Sequence, residues 1–185
     1  NGIDPIELNE KYGADTVRYA ASAVKLGEDA AFKDKYLDTG KKLVTKIFNA
    51  SKFAHMHLED YEFSGDLDED KITPIDKWIL SKCNDAISNT TKYLDEYEFA
   101  KERAEIEKFF WNLCDNYLEI VKDRLYKPEI HGDDKRLAGQ MTLAYVLDVT
   151  LKLFAPYVPF ITDEVYSWKF SKEKKGSIHT QQWPQ

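Results

Sequence analysis

A chain of 185 residues, 43% hydrophobic and 14% aromatic, reads as one domain with at most a small appendage. At that length roughly 70% of the unfolded surface can be removed on folding. Its net charge of −7 argues against sequence-independent attraction of a polyanion over the whole surface, so any basic site has to be local.

No apolar run approaches the ~20 residues needed to span a bilayer. The opening Asn1-Gly2-Ile3-Asp4-Pro5 has no charged n-region, no apolar stretch and no starting Met, a pattern expected of an excised piece. Cys83 and Cys114 are too few and too far apart for a disulfide scaffold. They are expected to be buried thiols in a reducing, cytoplasmic setting.

Apolar residues recur at helical spacing almost throughout. A short helix is expected after Pro5 and a second over about 13–23, followed by a connector over 25–33. A long helix should run over about 34–58. Tyr36, Leu37, Gly40, Val44, Ile47, Ser51, Ala54 and Leu58 trace one of its faces. The acidic segment 64–71 reads as a solvated loop. Thr73-Pro74-Ile75-Asp76 then reads as a helix start, with Thr as N-cap, Pro at the first helical position and a carboxylate in the first turn.

That helix carries Ile75, Ile79, Ala86, Ile87, Thr90 and Leu94 on one side. Another should run over about 99–122, with Arg103, Ile106, Phe110, Leu113, Tyr117 and Val121 in register. Arg103 among these apolar positions calls for an internal carboxylate, with Asp115 and Glu119 as candidates. Trp78, Trp111 and Tyr117 are expected in the core, polar tips at its edge. A break at 128–134 precedes a helix over about 135–154. Pro156 and Pro159 end it and start a short one through Trp168. Residues 172–175 read as a solvated loop and 177–185 as an extended tail, a strand or ordered coil. The expected fold is all-α: an antiparallel bundle of about four long helices with short helices at its ends. The expected divisions are connecting helices over 1–32, a helical bundle over 33–170 and an extended tail over 171–185.

Catalytic constellations are missing from the pattern. There is no Gly-rich phosphate loop and no Cys pair at zinc spacing. His55 and His57 point in different directions on a helix and read as surface or boundary residues. Asp66, Asp68 and Asp70 imitate the start of a calcium loop, but Lys71 and Lys77 stand where its glycine and bidentate glutamate belong. No metal or cofactor is expected within this chain.

The helix over 34–58 has a second, polar stripe. At 100° per residue Lys35, Lys42, Lys46, Asn49 and Phe53 share a narrow sector, placed opposite the apolar face. Lysines neutralise phosphates, an amide reads base edges and an aromatic ring stacks on an unpaired base, which together suit single-stranded nucleic acid. The same pattern also suits a solubilising face, or a protein-docking surface in which Phe53 packs on a neighbour.

Several strings resemble one family. Ile3-Asp4-Pro5, then Lys11-Tyr12-Gly13-Ala14-Asp15 with Arg18, resembles the segment that follows the lysine-rich signature loop of class I aminoacyl-tRNA synthetases. Gly27-Glu28-Asp29 with Phe32 resembles the valine-specific branch. So do Asn49-Ala50-Ser51-Lys52-Phe53, the run Trp111 to Tyr117 leading to Val121-Lys122, and Ser177-Ile178-His179 leading to Trp183-Pro184. The isoleucine-specific branch opens similarly but usually lacks the Trp and the Cys-Asp pair.

The resemblance covers essentially the whole chain and implies a module that grips the anticodon stem-loop of a tRNA, and nothing in the sequence calls for more than a monomer. It implies that valine activation and its ATP site lie in a catalytic domain outside this chain. It assigns Phe53 to stacking on an anticodon base and Lys35 to the anticodon arm, where many relatives carry Arg. The alternatives are an isoleucine-specific counterpart or a helical scaffold that binds protein rather than RNA.

Overall fold

Four long helical stretches carry the structure, a computed structural model that describes residues 4–25, 27, 33–62, 70–171 and 176–185. Helix α1 (Pro5–Tyr12) starts where the Asp4 carboxylate accepts the Ile6 amide at 2.8 Å, and α2 (Ala14–Ala21) follows directly. The long helices are α3 (Asp34–His57), α4 (Pro74–Asp95) and a continuous rod built from α5 (Phe99–Asn112), a π-turn (Leu113–Tyr117) and α6 (Leu118–Tyr126). The one-turn α7 (Pro128–His131) leads to α8 (Asp133–Phe154), then α9 (Pro159–Ser167) and a 3₁₀ turn (Ile178–Thr180). Among the described residues there is no strand, so the all-α expectation holds. The tail forms the 3₁₀ turn with coil around it, anchored by Trp183 Nε1 donating to Thr91 Oγ1 at 2.9 Å.

Helix α8 is the axis. Fifteen of its residues are buried, which makes it apolar all round, as a central helix must be. It touches α3, α4, α5, α6, α7 and α9. By length and hydropathy α8 could cross a membrane, but 83% of its apolar window is buried by the other helices. Helices α4 and α5 pack against each other across a connection of three residues, 96–98, and so run antiparallel.

Two glycines let helices approach closely. A Cβ on Gly40 would lie 2.9 Å from the Thr16 carbonyl oxygen, so α2 can sit on α3 only without one. A Cβ on Gly139 would lie 3.0 Å from Val121 and 3.1 Å from Leu125, which sets the distance from α8 to α6.

The π-turn corrects the expectation of one uninterrupted helix over 99–122. On a regular α-helix the run from Ile106 to Leu125 would drift about 100° around the axis. The wider π-turn takes back part of that drift. Val121 and Leu125 stay buried as a result.

Arg103 does not meet Asp115 or Glu119. It lies 3.8 Å from Glu107 and over the Tyr19 ring at 4.4 Å, while Asp115 pairs with Lys46 and Glu119 with Lys122. The buried arginine is Arg124. It pairs with Asp76, which is fully buried and also accepts the Tyr117 hydroxyl at 2.6 Å. The other Asp76 oxygen accepts the Thr73 amide at 2.9 Å and the Thr73 hydroxyl at 2.7 Å. The expected N-cap at Thr73 is thus also the end of a buried network.

Residues 64–69 of the acidic segment, with the Asp66 and Asp68 part of the calcium-like string, and the 172–175 loop fall outside the described residues. Trp78 is half-buried against the core and Tyr117 is wholly buried, as expected, whereas Trp111 is half-buried outside the core cluster, its Nε1 donating to Glu107 at 3.4 Å.

Arg124→Met should destabilise the fold by about 3–5 kcal/mol in urea denaturation, because it strands a buried carboxylate. Arg136→Ala, which removes the exposed pair to Asp60 at 2.7 Å, should cost only ~0–1 kcal/mol. Equal losses for the two variants would show that the buried network is not a main support.

Candidate nucleic-acid interface

On α3 the sector of Lys35, Lys42, Lys46, Asn49 and Phe53 lies beside the buried face rather than opposite it. Ala50 and Leu43, both buried, stand only about 60–80° from Lys35 around the helix axis. This corrects the placement read from spacing. It also explains why the stripe overlooks a neighbouring element instead of open solvent on both sides.

That neighbour is α6. Between α3 and α6 runs a groove of about 760 Å³, the largest among those described. Lys46, Asn49, Ala50 and Phe53 line its α3 side. Cys114, Leu118, Glu119, Lys122, Asp123, Tyr126 and Lys127 line the other. Three residues of the predicted stripe therefore come together at one cavity. Lys35 and Lys42 are exposed further toward the start of α3 and do not line it.

The α3 side chains differ in how firmly they are held. Phe53 is half-buried, with its ring 4.6 Å from His57 and 6.2 Å from Tyr126. Asn49 is exposed at the rim. Lys46 is engaged twice: its Nζ lies 3.2 Å from Asp115 and 5.3 Å from the centre of the Trp111 ring. Both partners belong to the Trp111–Tyr117 run, which explains physically why that string accompanies the α3 stripe. Among the described residues neither Lys35 nor Lys42 makes an ion pair.

The α6 side was not foreseen. Apolar periodicity carries the helical register only as far as Lys122 and assigns residues 123–127 no role. The available signal was Tyr126 four residues beyond Lys122, on one face of the helix. Lys122 pairs with Glu119, and Lys127 with Asp123 at 2.6 Å. Asp123 also meets His131 Nε2 at 2.6 Å. The hydrogen bonds from Lys127 and His131 hold the Asp123 carboxyl below its ordinary range, and the same contact raises Lys127.

Cys114 on the groove floor is no nucleophile, since burial pushes its thiol up to about 12, and Cys83 likewise. Among the described residues no cluster of ligating side chains suited to a metal ion exists. The arrangement sets an apolar floor between two charged rims, a geometry suited to binding.

The motif Lys11 to Arg18 serves a different purpose from the groove. Asp15 accepts the Phe160 and Ile161 amides at 3.1 and 2.6 Å, capping α9 from another helix, and Arg18 donates to the Pro156 carbonyl at 3.0 Å. This motif ties α2 to the α8–α9 corner. Of the remaining motif strings, Ile3, residues 28–29 and Phe32 lie outside the described residues.

Residues 76–185 match the family described as the anticodon-binding domain of tRNA ligase. Over its whole length the chain is 41% identical to a valine–tRNA ligase of Ehrlichia ruminantium, of which it covers 22%. It is equally similar to that of Wolbachia pipientis, of which it covers 20%. The chain thus spans about a fifth of the length of the curated relatives it matches.

Among solved structures, the LeuRS–tRNA–LeuAMS ternary complex of Agrobacterium radiobacter superposes with a TM-score of 0.70. That match is at 17% identity and covers 98% of this chain and 21% of that one. The methionyl-tRNA synthetase of Mycobacterium tuberculosis superposes with a TM-score of 0.64 at 16% identity, covering 95% and 38%. At such identities these two speak to the fold alone.

His57 was expected at the surface or the boundary but is buried, its ring against Phe53 and 4.4 Å from Tyr126. Burial, helped by the nearby Arg136 and opposed by Asp60, lowers its pKa from the ordinary 6.5. The folded state therefore binds fewer protons here than the unfolded chain. Its contribution to stability is present above pH 6.5 and is lost as pH falls toward the folded value. The thermal midpoint should drop between pH 7.5 and 5.5, and the drop should be smaller in His57→Phe. Identical pH profiles for the two proteins would show that His57 does not titrate against the fold.

Proposed function

The chain belongs to the anticodon-binding domain family of tRNA ligases, and we propose that it holds the anticodon stem-loop of a valine tRNA. On this reading it performs no chemistry. A catalytic portion elsewhere in a cytoplasmic valine–tRNA ligase uses ATP to activate valine, and this chain positions the tRNA and reads its identity. One observation carries the proposal: Lys46, Asn49 and Phe53, picked out by their sector on α3, line a single groove with an apolar floor.

The roles follow from exposure and chemistry. Lys35 and Lys42 approach phosphates at the start of α3. Asn49 faces base edges, and Phe53 offers a ring face for stacking. Lys46 can take a phosphate by exchanging it for Asp115, an exchange with little penalty because exposed ion pairs contribute at most about 1 kcal/mol. The net charge of −7 makes the unpaired lysines of α3 the main local attraction for a polyanion.

Fluorescence anisotropy with tRNAs carrying a valine, an isoleucine or an unrelated anticodon, titrated with salt, tests this directly. Preference for the valine anticodon, with affinity falling as salt rises, is expected. Phe53→Ala should weaken binding by about 1–3 kcal/mol. Lys42→Ala should reduce the salt slope by about one while leaving the preference unchanged. Weak, equal binding to all three tRNAs, unaltered by Phe53→Ala, would sink the proposal and favour a protein-docking role for the stripe.

A further inference from the structure

The groove has two walls, and its second wall carries its own recognition chemistry. Tyr126 on α6 faces Phe53 on α3, their ring centroids 6.2 Å apart and their planes at 64°. Such rings form a corner, not a parallel slot. A flat ring lying on one of them meets the other edge to face, an arrangement aromatic groups favour. His57 lies behind the corner in contact with both rings, so the two are held in place together. Tyr126 is 54% exposed, which leaves much of its surface available. Ala50, Cys114 and Leu118 form a buried apolar floor that offers phosphate nothing.

The charges on the two rims are unequal. On the α6 rim Lys122 is matched by Glu119, and Lys127 by Asp123. On α3, Lys35 and Lys42 have no such match among the described residues. A polyanion reaching this groove along α3 passes the unpaired Lys35 and Lys42 outside it, and inside it meets Lys46, paired with Asp115, on one wall and Glu119 and Asp123 on the other.

We infer that α6 is the second, base-contacting wall of the RNA site. An unpaired base enters the corner between Phe53 and Tyr126, while Glu119 and Asp123 keep the phosphate backbone on the α3 side. This deepens the anticodon-binding reading and rests on it. It adds Tyr126 as a contact residue, and it orients the strand, with phosphates toward the Lys35 and Lys42 end of α3 and the base between Phe53 of α3 and Tyr126 of α6.

The test uses the chain with a tRNA carrying the valine anticodon. Tyr126→Ala should weaken binding about tenfold, and Tyr126→Phe should stay within about twofold of wild type, since stacking needs the ring and not the hydroxyl. A tRNA carrying 4-thiouridine in its anticodon loop should crosslink to the peptide 118–127. Glu119→Gln combined with Asp123→Asn should release two lysines and steepen the salt dependence by about one to two in slope.

Wild-type affinity in Tyr126→Ala, crosslinks confined to α3, or an unchanged salt slope in the double variant would each overturn the second wall. In those cases a loss in Phe53→Ala would still leave the anticodon-binding reading standing. If the wild-type chain binds no tRNA, and Phe53→Ala and Lys42→Ala change nothing, that reading falls and this inference falls with it. The crosslink keeps the question decidable even if a substitution at Tyr126 disturbs the fold.

Discussion

The buried pair of Asp76 and Arg124 is the constraint that fixes α4, the π-turn and α6 against one another, and with them one wall of the groove. Asp76 sits in the first turn of α4, where Thr73 caps the helix, and Arg124 sits in the last turns of α6. Tyr117, at the end of the π-turn, donates to the same carboxylate. One fully buried group therefore joins the start of one helix, the irregular turn of a second and the end of that same rod. Each charge is acceptable in the interior only because the other is there, and because hydroxyl and amide donors satisfy the remaining lone pairs.

The groove inherits its geometry from that network. Arg124 is followed by Leu125, buried against Gly139 of α8, and then by Tyr126 on the groove wall. Turning α6 by one residue would move Tyr126 away from Phe53 and expose Leu125. The π-turn upstream provides the register in which Val121 and Leu125 face the core while Lys122 and Tyr126 face the groove. Helix α3 is set independently, through its own buried face and its close approach to α2 at Gly40. The two walls thus derive from separate packing problems and meet at α8, which touches both helices.

The division between legible and hidden features follows from this. The α3 stripe could be read because Lys35, Lys42, Lys46, Asn49 and Phe53 lie on one helix and share its period. So could the start of α4, because Thr73-Pro74 is a local signal. The second wall could not be read, because it depends on tertiary contact between α3 and α6. Following apolar spacing also stopped the register before Tyr126. Arg103 shows the same limit from the other direction: its place in the apolar register suggested an internal ion pair, which it makes with Glu107 rather than with Asp115 or Glu119, while also covering the Tyr19 ring. Periodicity tells which face a residue occupies, not which neighbour it meets.

Separating the supports from the recognition groups also explains how the site can be both rigid and open. The interior network and the α8 axis are buried, and both Asp76 oxygens accept hydrogen bonds there, so these supports stand apart from the groove rims. The polar groups at the rims are held by exposed pairs, such as Lys46 with Asp115 and Lys127 with Asp123, which exchange readily for other charges. His57 stands between the two regimes. It is buried enough to favour the neutral ring, and it touches both aromatic walls. A charge at that position would have to be desolvated beneath the corner, so the same burial that keeps His57 neutral also keeps the floor of the groove apolar and suited to a base rather than to a phosphate.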